Sequence, residues 1–414
     1  MKRRSFASLV LLATLLLDTS SIPAALAHEL ESAGVVYTQS NAPSPNDNAI
    51  LAYRRDNKGQ LTPLSSSPFR TGGAGIGDPL FSMFVNASSD QEVVINPEHT
   101  RLFAVNSGSN TIAAFDIRPD GSLKAVKGSP FPSGGISPVS IALAGDFLYV
   151  VNKNTDPQNS PNEAVGTVPN YTGFRITPQG KLIPIPNSTI SLPNFSIPTQ
   201  ALVSPDQKFL FGGEAVSGVL HSFKIQPNGR LLEAPNSPQL LPVAGVPALP
   251  ANPLGLQVHP TQPLVYVGLP LLNKLAVYRY DQETGELTFL KTVDNSGRTI
   301  CWLVVNRAGT RLYSSNTAEK SLSVYDLTDP ETPVEIQKVI VAGGGGLTNL
   351  TLEQTNEAFL QVLSTRVMPG LPAGESNELH TFTVNPDGTL STLPTATIPL
   401  GVADEVVPKG IAAP

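Results

Sequence analysis

RLFAVNSGSNTIAAFDIRPDGSL, residues 101–123, holds the unit that decides the fold. RLFAVN and TIAAFDI are short runs with the period of two expected of half-buried strands, and SGSN links them. RPDG then places Gly121 where a tight hairpin turn needs a positive φ, and a further strand starts behind it. Phe115 sits near the end of TIAAFDI, where a large ring can pack against a neighbouring sheet.

Outward from this stretch the same unit recurs. AILAYRR, TIAAFDI, YTGFRIT, VLHSFKI, KLAVYRY, SLSVYDL and LHTFTV place an aromatic at the equivalent point: Tyr53, Phe115, Phe174, Phe223, Tyr278, Tyr325 and Phe382, spaced 47 to 62 residues apart. Six of the seven following turns carry glycine (Gly59, Gly121, Gly180, Gly229, Gly285, Gly388), and the sixth reads TDPETPV with Pro333. A strand precedes each unit: VVYTQS, RLFAVN, FLYVVN, FLFGGE, LVYVGL, RLYSSN and FLQVLS. Before that comes a fourth element, as in EVVINPEHT or NPLGLQVHPT, but it occurs only six times ahead of its unit. The C-terminal PKGIAAP, residues 408–414, supplies the seventh copy.

This pattern predicts an all-β, seven-bladed β-propeller with four antiparallel strands per blade, in which the C-terminal strand completes the N-terminal blade. A period near 55 residues with four strands per repeat argues against a two-sheet sandwich or a parallel β-helix. Isolated blades could not bury their own faces, so residues 28–414 are expected to form one domain. Two insertions break the rhythm, residues 71–89 and 156–170. Long loops on a rigid scaffold are where binding tends to sit.

Composition agrees. Of 414 residues, 40% are hydrophobic and 14% charged, with 34 Gly and 39 Pro, which suits many short strands and turns. The net charge of −6 and the lack of a basic run beyond Lys2-Arg3-Arg4 argue against nucleic acid or an anionic membrane as a partner. Cys301, the one cysteine, has mostly apolar neighbours and reads as a buried structural thiol. Residues 1–27 read as a signal peptide: a basic start, the apolar run FASLVLLATLLL, and Ala25-Leu26-Ala27 for cleavage. The run is too short to span a bilayer, so the expected product is exported to the periplasm or beyond, with no membrane span and as a monomer.

The repeats, above all RLFAVNSGSNTIAAFDIRPDGSL, FLYVVNKNT, SPDQKFLF and RLYSSNTAEKSLSVYDL, resemble the lactonase family of seven-bladed propellers, which includes 6-phosphogluconolactonase-type enzymes and carboxymuconate cyclases. The resemblance implies activity on lactones. It also implies a P-R-H signature opening one inner strand, an N-E-L signature ending the next strand, and an arginine in a neighbouring blade. The matching inner strand here reads Asn252-Pro253-Leu254-Gly255-Leu256, with leucine and glycine in the arginine and histidine places. Pro270 stands at the glutamate position and Asn316-Thr317 at the arginine. P-R-H does not occur in the chain, and N-E-L occurs once, as Asn377-Glu378-Leu379, outside the matching blade.

Two functions follow. One is an exported binding or interaction protein without the family's catalytic motifs. The other is a divergent lactonase or cycloisomerase for a small carboxylated lactone, with Glu214, Arg298 and Arg366 as relocated acid–base and anchor groups. In a propeller the ends of second strands and the starts of inner strands form one rim around the axial channel. Read off by that rule, Gln39, Asn106, Asn152, Lys153, Gln200, Asn316, Thr348 and Lys409 are the ligand-binding candidates. Such a ring suits a polar or carboxylated ligand or a protein partner. Histidines lack metal-ligand spacing, so no metal is expected. No G-x-S-x-G elbow or phosphate loop is present, and nothing calls for a cofactor. His99 and His259 read as surface-turn residues, and His221 and His380 as outward-facing strand positions.

Overall fold

Each quoted repeat strand forms a strand or the core of one in the computed structural model, which describes residues 34–76, 89–155, 164, 166–241, 252–365, 377–402 and 406–414. The strands group into seven small antiparallel sheets. Blade 2 shows the pattern: Val93–Ile95 innermost, then Arg101–Asn106, Thr111–Ile117 and Leu123–Ala125 at the periphery. Inner strands of all seven blades line an axial cavity of about 330 Å³.

The ring closes through its ends. Lys409–Ala412 pairs with Gly34–Gln39, setting Tyr37 against Ala412, Thr38 against Ile411 and Gln39 against Lys409. Thr38 Oγ1 donates to the Gly410 carbonyl at 2.7 Å. A buried ion pair between Arg55 of blade 1 and Glu353 of blade 7, both side chains 3% exposed, ties the first blade to the last. Closure leaves no long inner edge open to foreign strands.

All seven repeat aromatics are buried, none more than 4% exposed. Truncating such a ring to alanine costs roughly 3–5 kcal/mol. The six turn glycines have φ between 79° and 83°. They also link blades, because the left-handed turn aims a carbonyl at the preceding blade. Tyr37 Oη donates to Gly121 O at 2.8 Å, Tyr149 Oη to Gly229 O at 3.0 Å, and Tyr313 Oη to Gly388 O at 2.8 Å. Where blade 6 lacks the glycine, Tyr266 Oη finds Pro330 O at 2.7 Å.

Two expectations need correction. In blades 1 to 4 the fourth strand is split into two short pieces that both pair with the third strand, as Leu61–Pro63 and Phe69–Arg70 do with Ala49–Arg55. Proline and a turn interrupt this outermost edge, where a missing N–H is tolerated. His221 and His380, expected to face outward, are 4% and 0% exposed, and His259, expected in a surface turn, is 3% exposed. Blades pack against both faces of each sheet, so a polar residue on either face is buried and must find a partner.

Candidate functional site

The antiparallel register sets the start of each inner strand beside the end of the next strand. Pro138 faces Asn152, Pro198 faces Glu214, Ile300 faces Asn316, Gly346 faces Thr365 and Lys409 faces Gln39. All these residues therefore sit at one mouth of the axial cavity.

Three consecutive blades bring ionisable groups together there, and a fourth adds a carboxamide. Blade 2 supplies Asp90 and Glu92 ahead of its inner strand, blade 3 supplies Lys153, blade 1 supplies Lys409, and Asn349 comes from the inner strand of blade 7. Asn349 Nδ2 donates to Asp90 Oδ1 at 2.9 Å and to Glu92 Oε2 at 3.3 Å, while its Oδ1 accepts from Gly410 N at 3.0 Å. Ser89 Oγ donates to Glu92 Oε1 at 2.8 Å. Glu92, Lys153, Asn349 and Lys409 are buried, and Asp90 is half-buried where it lines the cavity.

Burial without full neutralisation moves all four titratable groups towards neutral pH. Burial raises the Asp90 carboxyl to about 6 against the pull of its hydrogen bonds from Asn349 and the Gln91 amide. Glu92 rises to about 7: burial dominates, Lys409 opposes it, and the Asp90 charge adds to it. Burial lowers Lys409 to about 8, with Glu92 resisting. Burial, then the Lys409 charge, holds Lys153 well below the usual lysine range. A carboxylate that can take up or release a proton near pH 7 thus stands beside a cation able to hold an anion.

Of the sequence-stated candidates, Lys153 and Lys409 belong to this centre, and Gln39 is the strand partner of Lys409. Others serve as struts. Asn106 Oδ1 accepts from Asn48 Nδ2 at 2.9 Å and Thr71 Oγ1 at 2.6 Å. Asn152 Nδ2 donates to Asn170 Oδ1 at 3.0 Å, and Asn316 joins Asn295, Ser321 and Ser323. Gln200 clamps Leu256 of the next blade through both ends of its carboxamide, and Thr348 Oγ1 donates to Leu363 O at 3.2 Å. Glu214 is bonded to His221 at 2.8 Å in blade 4, Arg298 is exposed before blade 6, and no hydrogen bond or ion pair joins the two. Arg366 lies outside the described residues.

Asp90, Glu92 and Asn349 were not among the candidates. The rim rule that selected Lys409 also covers the blade 2 start, but the insertion at residues 71–89 blurs where that strand begins. Asn349 reads as a glycosylation sequon with Thr351. Its buried, doubly bonded carboxamide is instead a clamp between two carboxylates and the closing strand. At Gly255, one of the places that the resemblance assigns to a catalytic side chain, a Cβ would fall 2.1 Å from Cys301 O. The backbone of the next blade fills that space.

Fold and site define a seven-bladed β-propeller with a titratable centre at one channel mouth. Residues 234–390 match the family model for the lactonase, seven-bladed β-propeller, so the resemblance to lactonase-like propellers holds. Solved structures agree in fold. The periplasmic gluconolactonase of Pseudomonas aeruginosa shares 16% identity over 92% of this chain and 99% of its own, with a TM-score of 0.68. A Bacteroides uniformis protein provisionally named 6-phosphogluconolactonase shares 17% over 92% and 99%, with a TM-score of 0.66. A Lactobacillus plantarum protein gives the same identity, coverage and score. No curated protein sequence matches the chain.

Proposed function

We propose that the protein is a lactone hydrolase acting outside the cytoplasm on a small lactone that bears an anionic group, with Glu92 as general base. The observation that carries this reading is a buried carboxylate raised to about 7, held by Ser89 and Asn349 beside Lys409 at the channel mouth. In the proposed reaction Glu92 takes a proton from water as the water oxygen bonds to the lactone carbonyl carbon. Lys409 holds the anionic group and steadies the developing oxyanion. The ring C–O bond then breaks, and the alkoxide takes the proton back from Glu92, leaving the open hydroxy acid. The leader-like residues 1–27 support export, and so does likeness in fold to a periplasmic gluconolactonase. The reading takes residues 28–414 as a monomeric mature chain with one ring.

A second reading, ligand binding without turnover, is favoured by the missing P-R-H signature, by Pro270 at the glutamate position of the matching blade and by the filled space at Gly255. Hydrolysis of 6-phosphogluconolactone, gluconolactone and muconolactone by wild type and Glu92→Gln separates the two. Loss of the base should lower kcat/KM roughly 10²–10⁴-fold. Wild-type activity should rise with pH as Glu92 ionises near 7 and fall as Lys409 loses its proton near 8. These two limbs belong to the pair as a unit. Equal rates for the two proteins remove Glu92 as the base. Binding without hydrolysis by wild type establishes the second reading.

A further inference from the structure

Among the described residues lining the axial cavity, Asp90 is the one ionisable side chain. Asp90 and Gln91 line its mouth end, ahead of the inner strand Val93–Ile95, and Pro97 lines it past the other end of that strand. The rest of the lining is apolar or uncharged, as with Leu143, Val304 and Gln257. Glu92 is 1% exposed and does not line the cavity. A base in that position needs a group that brings water to it.

Local backbone turns both carboxylates onto one partner. Gln91, between them, has φ +63°, a left-handed conformation that a residue other than glycine rarely takes. Asp90 Oδ1 holds it there by accepting from Gln91 N at 2.8 Å, and Gln91 O accepts from Ile141 N of blade 3 at 3.0 Å. Asn349 Nδ2 then donates to Asp90 Oδ1 at 2.9 Å and to Glu92 Oε2 at 3.3 Å. Those two oxygens are therefore at most about 6 Å apart. A water donating to two carboxylates spans roughly 4.5–5.5 Å. Both hydrogen bonds to Asp90 fall on Oδ1, and Oδ2 has none among the described residues.

We infer that Asp90 is a further catalytic residue, whose carboxylate accepts one hydrogen bond from the attacking water and so aims the other O–H at Glu92 and a lone pair at the lactone carbonyl carbon. This inference rests on the reading of Glu92 as the base. Asp90 neither gains nor loses a proton in the step: the water proton passes to Glu92 and from there to the ring alkoxide as the C–O bond breaks. The charge of Asp90 has a second effect. Glu92 faces Asp90 from its own blade, Lys409 from the closing strand and Lys153 from blade 3. Asp90 is the one anion of the three, and it raises Glu92 where Lys409 lowers it.

The test compares wild type with Asp90→Asn and Asp90→Glu. The measurements are 6-phosphogluconolactone hydrolysis across pH and, without ligand, a carboxyl carbon NMR titration of Glu92. For Asp90→Asn, kcat on the plateau should fall roughly 10–100-fold with KM changed less than about twofold. The acid limb and the Glu92 midpoint should both move to lower pH, because loss of the neighbouring negative charge favours the ionised base. Asp90→Glu keeps the charge and shifts the carboxylate by one methylene, so kcat should fall while the Glu92 midpoint stays at the wild-type value. This variant also carries the kinetic comparison if Asp90→Asn fails to fold. A strut would lower Tm and leave the limb and the midpoint in place, and that result overturns the inference. Wild-type kcat in Asp90→Asn also overturns it, and if Glu92→Gln is then inactive the base assignment stands alone. Wild type that hydrolyses none of the three lactones removes both.

Discussion

His221 and His380 occupy the same place in their blades, two residues before the repeat aromatic, yet their surroundings push them in opposite directions. His380 is hydrogen-bonded to two hydroxyls, Ser364 Oγ at 2.9 Å and Thr397 Oγ1 at 3.0 Å, with the Glu378 carboxylate farther off at 3.7 Å. Burial, then the Lys320 charge, lowers it to about 4. At His221 burial works to lower the value, but Glu214 at 2.8 Å and Glu233 at 3.2 Å outweigh it and the imidazole is raised. The linkage signs differ accordingly. The stability from a neutral His380 is present above pH 6.5 and is lost as pH falls from there towards 4, at most about 3 kcal/mol. His221 contributes fully below 6.5 and loses that contribution as pH rises through its raised value. Urea denaturation across pH should therefore show a shallower acid slope between 6.5 and 4 for His380→Gln, while His221→Gln should be more destabilising at pH 6 than at pH 9. An unchanged acid slope for His380→Gln would refute the first assignment. Neither environment was legible in the sequence, because alternation along a strand separates two faces and, in a ring of packed blades, neither face is solvent.

Second strands end in polar residues that look alike in sequence and do different work. Asn316 is wholly buried, accepts from Asn295 Nδ2 at 2.8 Å, and donates to Ser321 Oγ at 3.0 Å and Ser323 Oγ at 2.9 Å. Asn316→Ala leaves those partners unpaired and should cost roughly 2–4 kcal/mol in chemical denaturation, while lactone kinetics measured well below Tm stay within about twofold. A large fall in kcat/KM at full stability would return Asn316 to the site. Lys153, one residue past the equivalent asparagine of blade 3, lies instead in the field of Lys409 and Glu92. The register sets this band of residues at one end of the blades. Its division into struts and site depends on which partners the neighbouring blade presents.

At the scale of the molecule, the closing strand is part of the ring and part of the centre. It carries Lys409, and Gly410 N bonds Asn349. Gly410 has φ +67°, and a Cβ there would fall 2.8 Å from Val93 N and 2.9 Å from Glu92 Cβ, so the strand must pass this point as glycine. Deleting residues 409–414 removes the inner strand of blade 1 and exposes the edge of Gly34–Gln39. The deletion should broaden thermal unfolding and promote aggregation. Lys409→Met should keep a sharp transition but raise KM for 6-phosphogluconolactone. If the deletion variant melts as sharply as wild type, closure contributes little to cooperativity. The sequence by itself determined the seven repeats, their turn glycines and the closure by the C-terminal strand, because periodicity and φ requirements are written in local residue order. Only the tertiary structure decided that Asp90, Glu92, Lys153, Asn349 and Lys409 meet. They come from four blades up to 319 positions apart, and burial at the ring axis, which no local pattern records, is what shifts the proton affinities of the two carboxyls and two lysines.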